Sequence, residues 1–525
     1  AAGGPRPGSA TARDIARAVA EGLALASSAL TRGHVAVGEP VPAPPGAGEG
    51  RDRFAPIERN GVQRVTEAPV STFSADVDTA SYSFVRRALN AGRLPPADAV
   101  RTEELLNYFD YAYAPAASRE EPFQPTVWLS EAPWAAGRQL LHVGIRGYAL
   151  PPAARPRSNL VFLLDVSGSM QAPDKLPLVK QSMELLLSTL QPEDTVAIAV
   201  YAGAAGSVLP PTSVREKQKI LAALQRLRAG GSTAGAGGIE LAYRMAASAY
   251  DETAVNRVIL ATDGDFNVGI ADPRALKDFV ARQRDSGVYL SVLGFGRGNY
   301  NDELMQALAQ HGNGVAAYID TLGEAQKLLV HEAASTLFPI ATDVKLQVEF
   351  NPAQVAEYRL IGYETRALRE EDFANDRVDA GDIGAGHTVT ALYEITPVAS
   401  PAAQLPPRRY GAADAPAARS PVARDGELAF LKIRYKLPGE RDSRLITRPV
   451  TAADRVAEGS LAAREARFAA AVAGAADRLT GATYTGSLDW DALIALAQGA
   501  KGDDPYGYRS EFVQLLRRAK IATGL

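Results

Sequence analysis

The chain has 525 residues, enough for several domains with their own cores, and its 46% apolar and 22% charged content is that of an ordinary globular protein. A formal charge of −4 over this length leaves no basic footprint for nucleic acid, and no apolar run approaches the ~20 residues needed to span a bilayer. The absence of cysteine excludes disulfides, a thiol nucleophile and thiolate metal sites, and leaves the compartment open.

Residues 1–60 are expected to form a flexible N-terminal segment and linker. Thr11 to Leu30 is Ala-rich with Ile15, Val19 and Leu23 four apart, a thin helix, and Gly38 to Gly50 is rich in Pro and Gly. Residues 61–118 follow as a small helical unit, with Tyr82, Val85 and Leu89 on one helix face and Val100, Leu105, Leu106 and Phe109 on the next. Asp76 and Asp78 precede the first of these helices and are expected to cap it and favour its dipole rather than hold a metal. Over 119–154 the period changes to two: Thr126 to Leu129, and Leu141, Val143 and Ile145, predict half-buried antiparallel strands.

Residues 155–337 alternate strand and helix throughout, the pattern of a doubly wound α/β domain. Leu160 to Leu164 is a continuous apolar run, a strand buried on both faces, and it ends in Asp165-Val-Ser-Gly-Ser169. The next helix carries Val179, Met183, Leu186 and Leu187, and Asp194 to Tyr201 is another strand. Gly230-Gly-Ser-Thr233 is a loop opening a helix, and Val258 to Thr262 is a second buried strand ending at Asp263-Gly264. Asp272-Pro273 predicts an N-cap with proline at the first helical position, and Thr321 with Glu324 a capping box. Period two returns over 338–450, in Val344, Leu346, Val348 and Phe350 and in Leu431, Ile433, Tyr435 and Leu437, around a Pro/Ala-rich loop at 397–426. Strands on both sides of the α/β block predict that it is flanked by, or inserted into, one β-sandwich, because two-stranded units are not stable alone. Residues 451–525 are predicted helical, with Trp490, Leu493, Ile494, Phe512, Leu515 and Leu516 as core positions.

Open α/β sheets bind ligands beyond the carboxyl ends of their strands, so Asp165, Ser167, Ser169, Thr233 and Asp263 fall where a ligand would sit. They supply carboxylates and hydroxyls, hard oxygen donors suited to Mg²⁺ or Ca²⁺. These five residues resemble the metal-ion-dependent adhesion site (MIDAS) of the von Willebrand factor type A domain. SADVDTASYSFVRRAL, TEELLNYFDY and GELAFLKIRYKLPG resemble a bacterial envelope-associated family that flanks such a domain with its own N-terminal domain and a C-terminal domain of unknown function. The resemblance covers roughly residues 60–525. It implies a non-enzymatic adhesion or scaffold protein in the bacterial envelope or periplasm, with a signal peptide removed ahead of Ala1. The five residues would hold a divalent cation, Mg²⁺ first with Mn²⁺ or Ca²⁺ as alternatives, and the cation would capture an Asp or Glu carboxylate of a protein partner. Two alternatives stay open: an intracellular scaffold for a ring ATPase, and a structural module with an empty site.

Rival motifs break at specific positions. Asp263 to Asn267 begins like an EF-hand loop, but Val268 and Arg274 stand where glycine and glutamate are required. His331-Glu332 lacks the second histidine of a zinc helix, and Asn299 breaks the dinucleotide fingerprint begun by Gly294, Gly296 and Gly298. A metal-dependent hydrolase would need a base beside the ion, for which Asp265 is the nearest in sequence. Asp265 and Asn267 could also shape the rim of the site, and the five histidines His34, His142, His311, His331 and His387 form no cluster in sequence.

Overall fold

A computed structural model describes residues 52–524 other than 53, 77, 232–236, 265–271, 298–300, 379, 407, 409–425, 482 and 487. The helix expected at Thr11 to Leu30, the linker at Gly38 to Gly50 and most of the Pro/Ala-rich loop lie outside the described residues.

The centre is a six-stranded sheet in the order Ala316–Ile319, Val288–Phe295, Val255–Thr262, Ser158–Asp165, Thr195–Tyr201 and Ala205–Ser213. All neighbours are parallel except the last pair. Every residue of Ser158–Asp165 and of Val255–Thr262 is buried. The reason is the period of two: Leu160, Phe162 and Leu164 join a core with Val179, Met183, Leu186 and Leu187 of the helix Leu176–Thr189. Val161 and Leu163 point the other way, into a second core with Ile239, Ala242 and Met245 of the helix Gly238–Ser248. Each such side chain contributes about 1.5–3 kcal/mol by leaving water, so the two central strands anchor the sheet. The edge strand Ala205–Ser213 contains Pro210 and Pro211 and was not expected; proline is tolerated there because an edge leaves backbone donors unpaired.

Two antiparallel sheets form the sandwich. One runs Gln63–Arg64, Val355–Ile361, Thr388–Pro397, Gln139–Arg146, Thr126–Glu131, and the other Ala367–Leu368, Val70–Ser74, Pro339–Phe350, Glu427–Lys436, Arg444–Thr451, with Gly381–Gly384 also pairing with Pro339–Phe350. They meet through Phe350, whose ring centroid lies 4.3 Å from Tyr358 and 5.3 Å from Tyr393. Strands on both sides of the α/β block therefore enter one sandwich, as expected. The strand Val70–Ser74 lies within a stretch expected to be helical. It is recruited by residues about 270 positions downstream, pairing Phe73 with Leu346. The strand Gln139–Arg146 is buried nearly throughout rather than half-buried, because Leu140 joins the core of the C-terminal helices and the Tyr113 ring lies over Gly144. Those helices, Leu461–Leu479, Trp490–Ala500 and Tyr508–Ala522, pack Phe468 and Phe512 around Phe109 at 5.0 and 5.5 Å.

Buried ion pairs fasten the N-terminal helices to the α/β domain and to the C-terminal helices. Arg86 binds Asp320, Glu324 at 2.8 Å and Glu511 at 3.2 Å, and Arg101 binds Glu104 and Asp302 at 2.7 Å. This revises two capping expectations. The cap position of the helix Ala80–Asn90 is Thr79, whose side chain makes no capping bond. Asp78 instead accepts from the backbone of Ala316 at 2.9 Å, and both Asp76 and Asp78 bind Arg366. Thr321 does cap its helix, accepting from Glu324 N at 3.2 Å, while the Glu324 carboxylate turns to Arg86 and to the Tyr108 hydroxyl at 2.8 Å. Charge-assisted bonds are roughly twice as strong as neutral ones, so the guanidinium wins over the cap. The predicted cap at Asp272 holds, accepting from Arg274 N at 3.1 Å.

Candidate functional site

Ser158–Asp165 and Val255–Thr262 run parallel in register, Leu164 opposite Ala261, so Asp165 and Asp263 emerge side by side where the strands end. The chain turns at once after Asp165, because its Oδ1 accepts from Ser167 N at 2.9 Å, a side-chain turn that aspartate favours. That turn sets the Ser167 and Ser169 hydroxyls 2.9 Å apart. The glycine loop is stitched against it: Gly168 N donates to Gly231 O at 3.0 Å and Gly230 N to Val166 O at 2.8 Å. Gly231 adopts φ +88°, and a Cβ on Gly168 would lie 3.3 Å from the Gly231 carbonyl, so small residues allow this approach. The structure thus brings together Asp165, Ser167, Ser169 and Asp263. Thr233, Asp265 and Asn267 lie outside the described residues, although the described part of the Thr233 loop reaches the motif.

Asp165, Ser167 and Asp263 are buried, and Ser169 is exposed at the rim. Burial pushes the Asp165 carboxyl up to about 6, partly offset by its hydrogen bonds, with Asp263 adding to the rise. Its Oδ2 is buried and has no hydrogen-bond partner of standard geometry; Tyr201, opposite Asp165 in the sheet, contributes a stabilising interaction to the carboxylate.

Lys175 is the residue that sequence reasoning missed. Its Nζ lies 2.8 Å from Asp263 Oδ2. A signal was present: Lys175 occupies the cap position at the start of the helix Leu176–Thr189, where a cation opposes the helix dipole and calls for a nearby carboxylate. Gly296 explains the route of its side chain. At φ +77°, a Cβ there would lie 2.4 Å from both Cγ and Cε of Lys175. One glycine of the broken dinucleotide fingerprint thus has a steric role here. Among the described residues, no group of three or more His, Cys, Asp or Glu side chains could hold a metal. The described histidines are dispersed: His142 is buried without hydrogen-bond partners, His331 contacts the Tyr508 hydroxyl at 2.7 Å, and His311 the Ala307 carbonyl at 2.7 Å. The buried Arg257, bonded to Ser291 Oγ at 2.7 Å, lies near the opposite end of its strand from Asp263 and lines a cavity with Asp78 and Gly384.

Fold and sequence together define a von Willebrand factor type A domain, whose family model matches residues 159–331. A model described as von Willebrand factor matches 48–142, and one described as "Uncharacterized protein YfbK, C-terminal" matches 335–521. The chain belongs to the YfbK family: it is 45% identical over 486 residues to the uncharacterized protein YfbK of Escherichia coli (strain K12), covering 91% of this chain and 83% of that one. It is also 27% identical over 205 residues to human inter-alpha-trypsin inhibitor heavy chain H3, covering 37% of this chain and 22% of that protein. Among solved structures, von Willebrand factor type A from Catenulispora acidiphila matches at 17% identity, covering 75% of this chain and 89% of that one with a TM-score of 0.40. Type A domains typically serve as non-catalytic contact modules, and this chain is a type A domain protein of a family with a bacterial member. No helix among the described residues is long and apolar enough to cross a membrane.

Proposed function

We propose that this protein binds a protein partner through a divalent cation held by Asp165, Ser167, Ser169, Thr233 and Asp263, and that it does so in the bacterial cell envelope. The cation is Mg²⁺, with Mn²⁺ and Ca²⁺ as alternatives, and its open position takes an Asp or Glu carboxylate of the partner. The observation that carries this reading is the donor set: the Asp165 carboxylate turns the chain through Ser167 N and sets the Ser167 and Ser169 hydroxyls 2.9 Å apart, with Asp263 alongside. Burial disfavours the charged Asp165 carboxylate, and a hard cation beside it and the adjacent serine hydroxyls would offset that cost. When bound, the cation supplies an electrophilic docking point. The chain's own part is to orient donors: the Asp165 turn presents the hydroxyls, and the parallel register keeps Asp263 alongside.

The Lys175–Asp263 ion pair favours a second reading, in which the ammonium stands in for a metal and the face is purely structural. Calorimetric titration of Mg²⁺, Mn²⁺ and Ca²⁺ into the metal-stripped chain separates the two. Saturable binding, lost in Asp165→Ala and in Thr233→Ala, is expected. No binding at millimolar cation would leave the structural reading.

A further inference from the structure

Lys175 is buried with Asp263, their side chains 9% and 0% exposed. Its stem is packed against the backbone of Gly296, where there is no room for a Cβ. Gly296 is itself held, its carbonyl accepting from Arg87 Nη1 at 3.2 Å and from the Tyr318 hydroxyl. Arg87 is in turn paired with Asp52 at 2.8 Å and lies 4.3 Å over the Phe84 ring. The ammonium is therefore fixed beside Asp263 by packing that runs into the N-terminal helix. Helix stability does not account for it, since a cation at a helix start is unfavourable.

We infer that Lys175 is a third charge of the proposed cation site, weakening the hold on the cation and strengthening the hold of the loaded site on an anion. The inference rests on the cation-binding reading above. Among the described residues, two carboxylates and one ammonium give a net charge of −1, so a divalent cation makes this set net positive and a partner's carboxylate brings it to neutrality. Without the ammonium, the cation alone would neutralise the site, and the carboxylate would arrive as excess negative charge. At the effective dielectric of a protein site, one unit charge a few ångströms away shifts an equilibrium by about tenfold or more. The position of Lys175 thus trades cation affinity for selectivity toward acidic groups. Asp174 and Arg297, paired at 3.2 Å beside it, cancel one another, which leaves Lys175 as the deciding charge among the described residues.

The test uses the full chain and Mn²⁺, read by water-proton relaxation, in wild type, Lys175→Gln and Lys175→Arg. Acetate is then titrated into each Mn²⁺-saturated protein. Glutamine keeps a donor for Asp263 without the charge, so Lys175→Gln should bind Mn²⁺ about tenfold more tightly and acetate about tenfold more weakly. Lys175→Arg should follow the wild type. Should the glutamine variant fail to fold by circular dichroism, Lys175→Met keeps the stem packing and carries the same expectation. Equal Mn²⁺ affinities in wild type and the neutral variant would overturn the role of Lys175 while leaving the cation site standing. Tighter Mn²⁺ binding without weaker acetate binding would mean that the ammonium leaves the site, and would also overturn it. Failure of all variants, the neutral ones included, to bind Mn²⁺ would overturn the cation reading itself.

Discussion

The ion pairs that fasten the N-terminal helices and the carboxylates at the strand ends are both buried, but they are satisfied to different degrees. Arg86, Arg101 and Arg366 each meet at least two carboxylates in fixed geometry. At the strand ends, Asp263 has one ammonium, and among the described residues no cation pairs with Asp165. Burying a charge is costly unless it is paired and hydrogen-bonded. The interface carboxylates meet that requirement with guanidinium groups, whereas Asp165 meets no cation among the described residues. Carboxylates perturbed by burial concentrate at ligand sites, which is why the contrast supports a binding role for the second region.

Breaking the saturated side should have the largest effect. Arg86→Met strands Asp320 and Glu324 without their guanidinium and should lower stability by about 3–5 kcal/mol in urea unfolding; a loss under about 1 kcal/mol would show that the network does not fasten the helices. The open side should respond in the opposite direction. Asp165→Asn removes a charge that burial disfavours yet keeps the oxygen that accepts from Ser167, so the metal-free protein at pH 7.5 should gain up to about 2 kcal/mol. Clear destabilisation would place Asp165 among the structural carboxylates and dissolve the contrast.

His142 extends the comparison to a group that stays neutral. It is buried with neither ring nitrogen bonded, and burial pulls it down to about 3. The unfolded chain takes up this proton below about pH 6.5 while the fold refuses it, so stability is lost as pH falls from 6.5 toward 3, by about 1.4 kcal/mol per pH unit. Glu103 works against this: burial, with Glu364 and Glu104 nearby, pushes it up to about 7, so the fold holds its proton and gains as pH falls through that value. The readout is therefore the difference between wild type and His142→Phe, whose stability should fall less between pH 6.5 and 5. The smallest effect should come from an exposed pair of similar length. Arg215 and Glu193 lie 2.7 Å apart, with side chains 69% and 48% exposed, and Arg215→Ala should cost less than about 1 kcal/mol. A larger cost would mean that burial is not what separates the two kinds of ion pair.

Much of this molecule was legible in the amino-acid sequence because the signals are local. The apolar run Leu160 to Leu164, the alternation of Val344 to Phe350 and the cap at Asp272 need only neighbouring residues to be read, and each stands where expected. The Asp165-Val-Ser-Gly-Ser169 turn belongs with them, since its geometry comes from a hydrogen bond spanning two residues. What the sequence could not decide are choices made between distant segments. Val70–Ser74 is a strand because Pro339–Phe350 offers it a ladder, and Asp76 and Asp78 leave their helix because Arg366 and the backbone of Ala316 lie closer to hand. Lys175 meets Asp263, 88 residues away, only after the sheet has aligned two strand ends and Gly296 has left room for its stem. Periodicity and turn chemistry act over a few residues and are written into local order. Charge pairing acts through space, so only the tertiary fold selects which carboxylates gain a cation and which is left open.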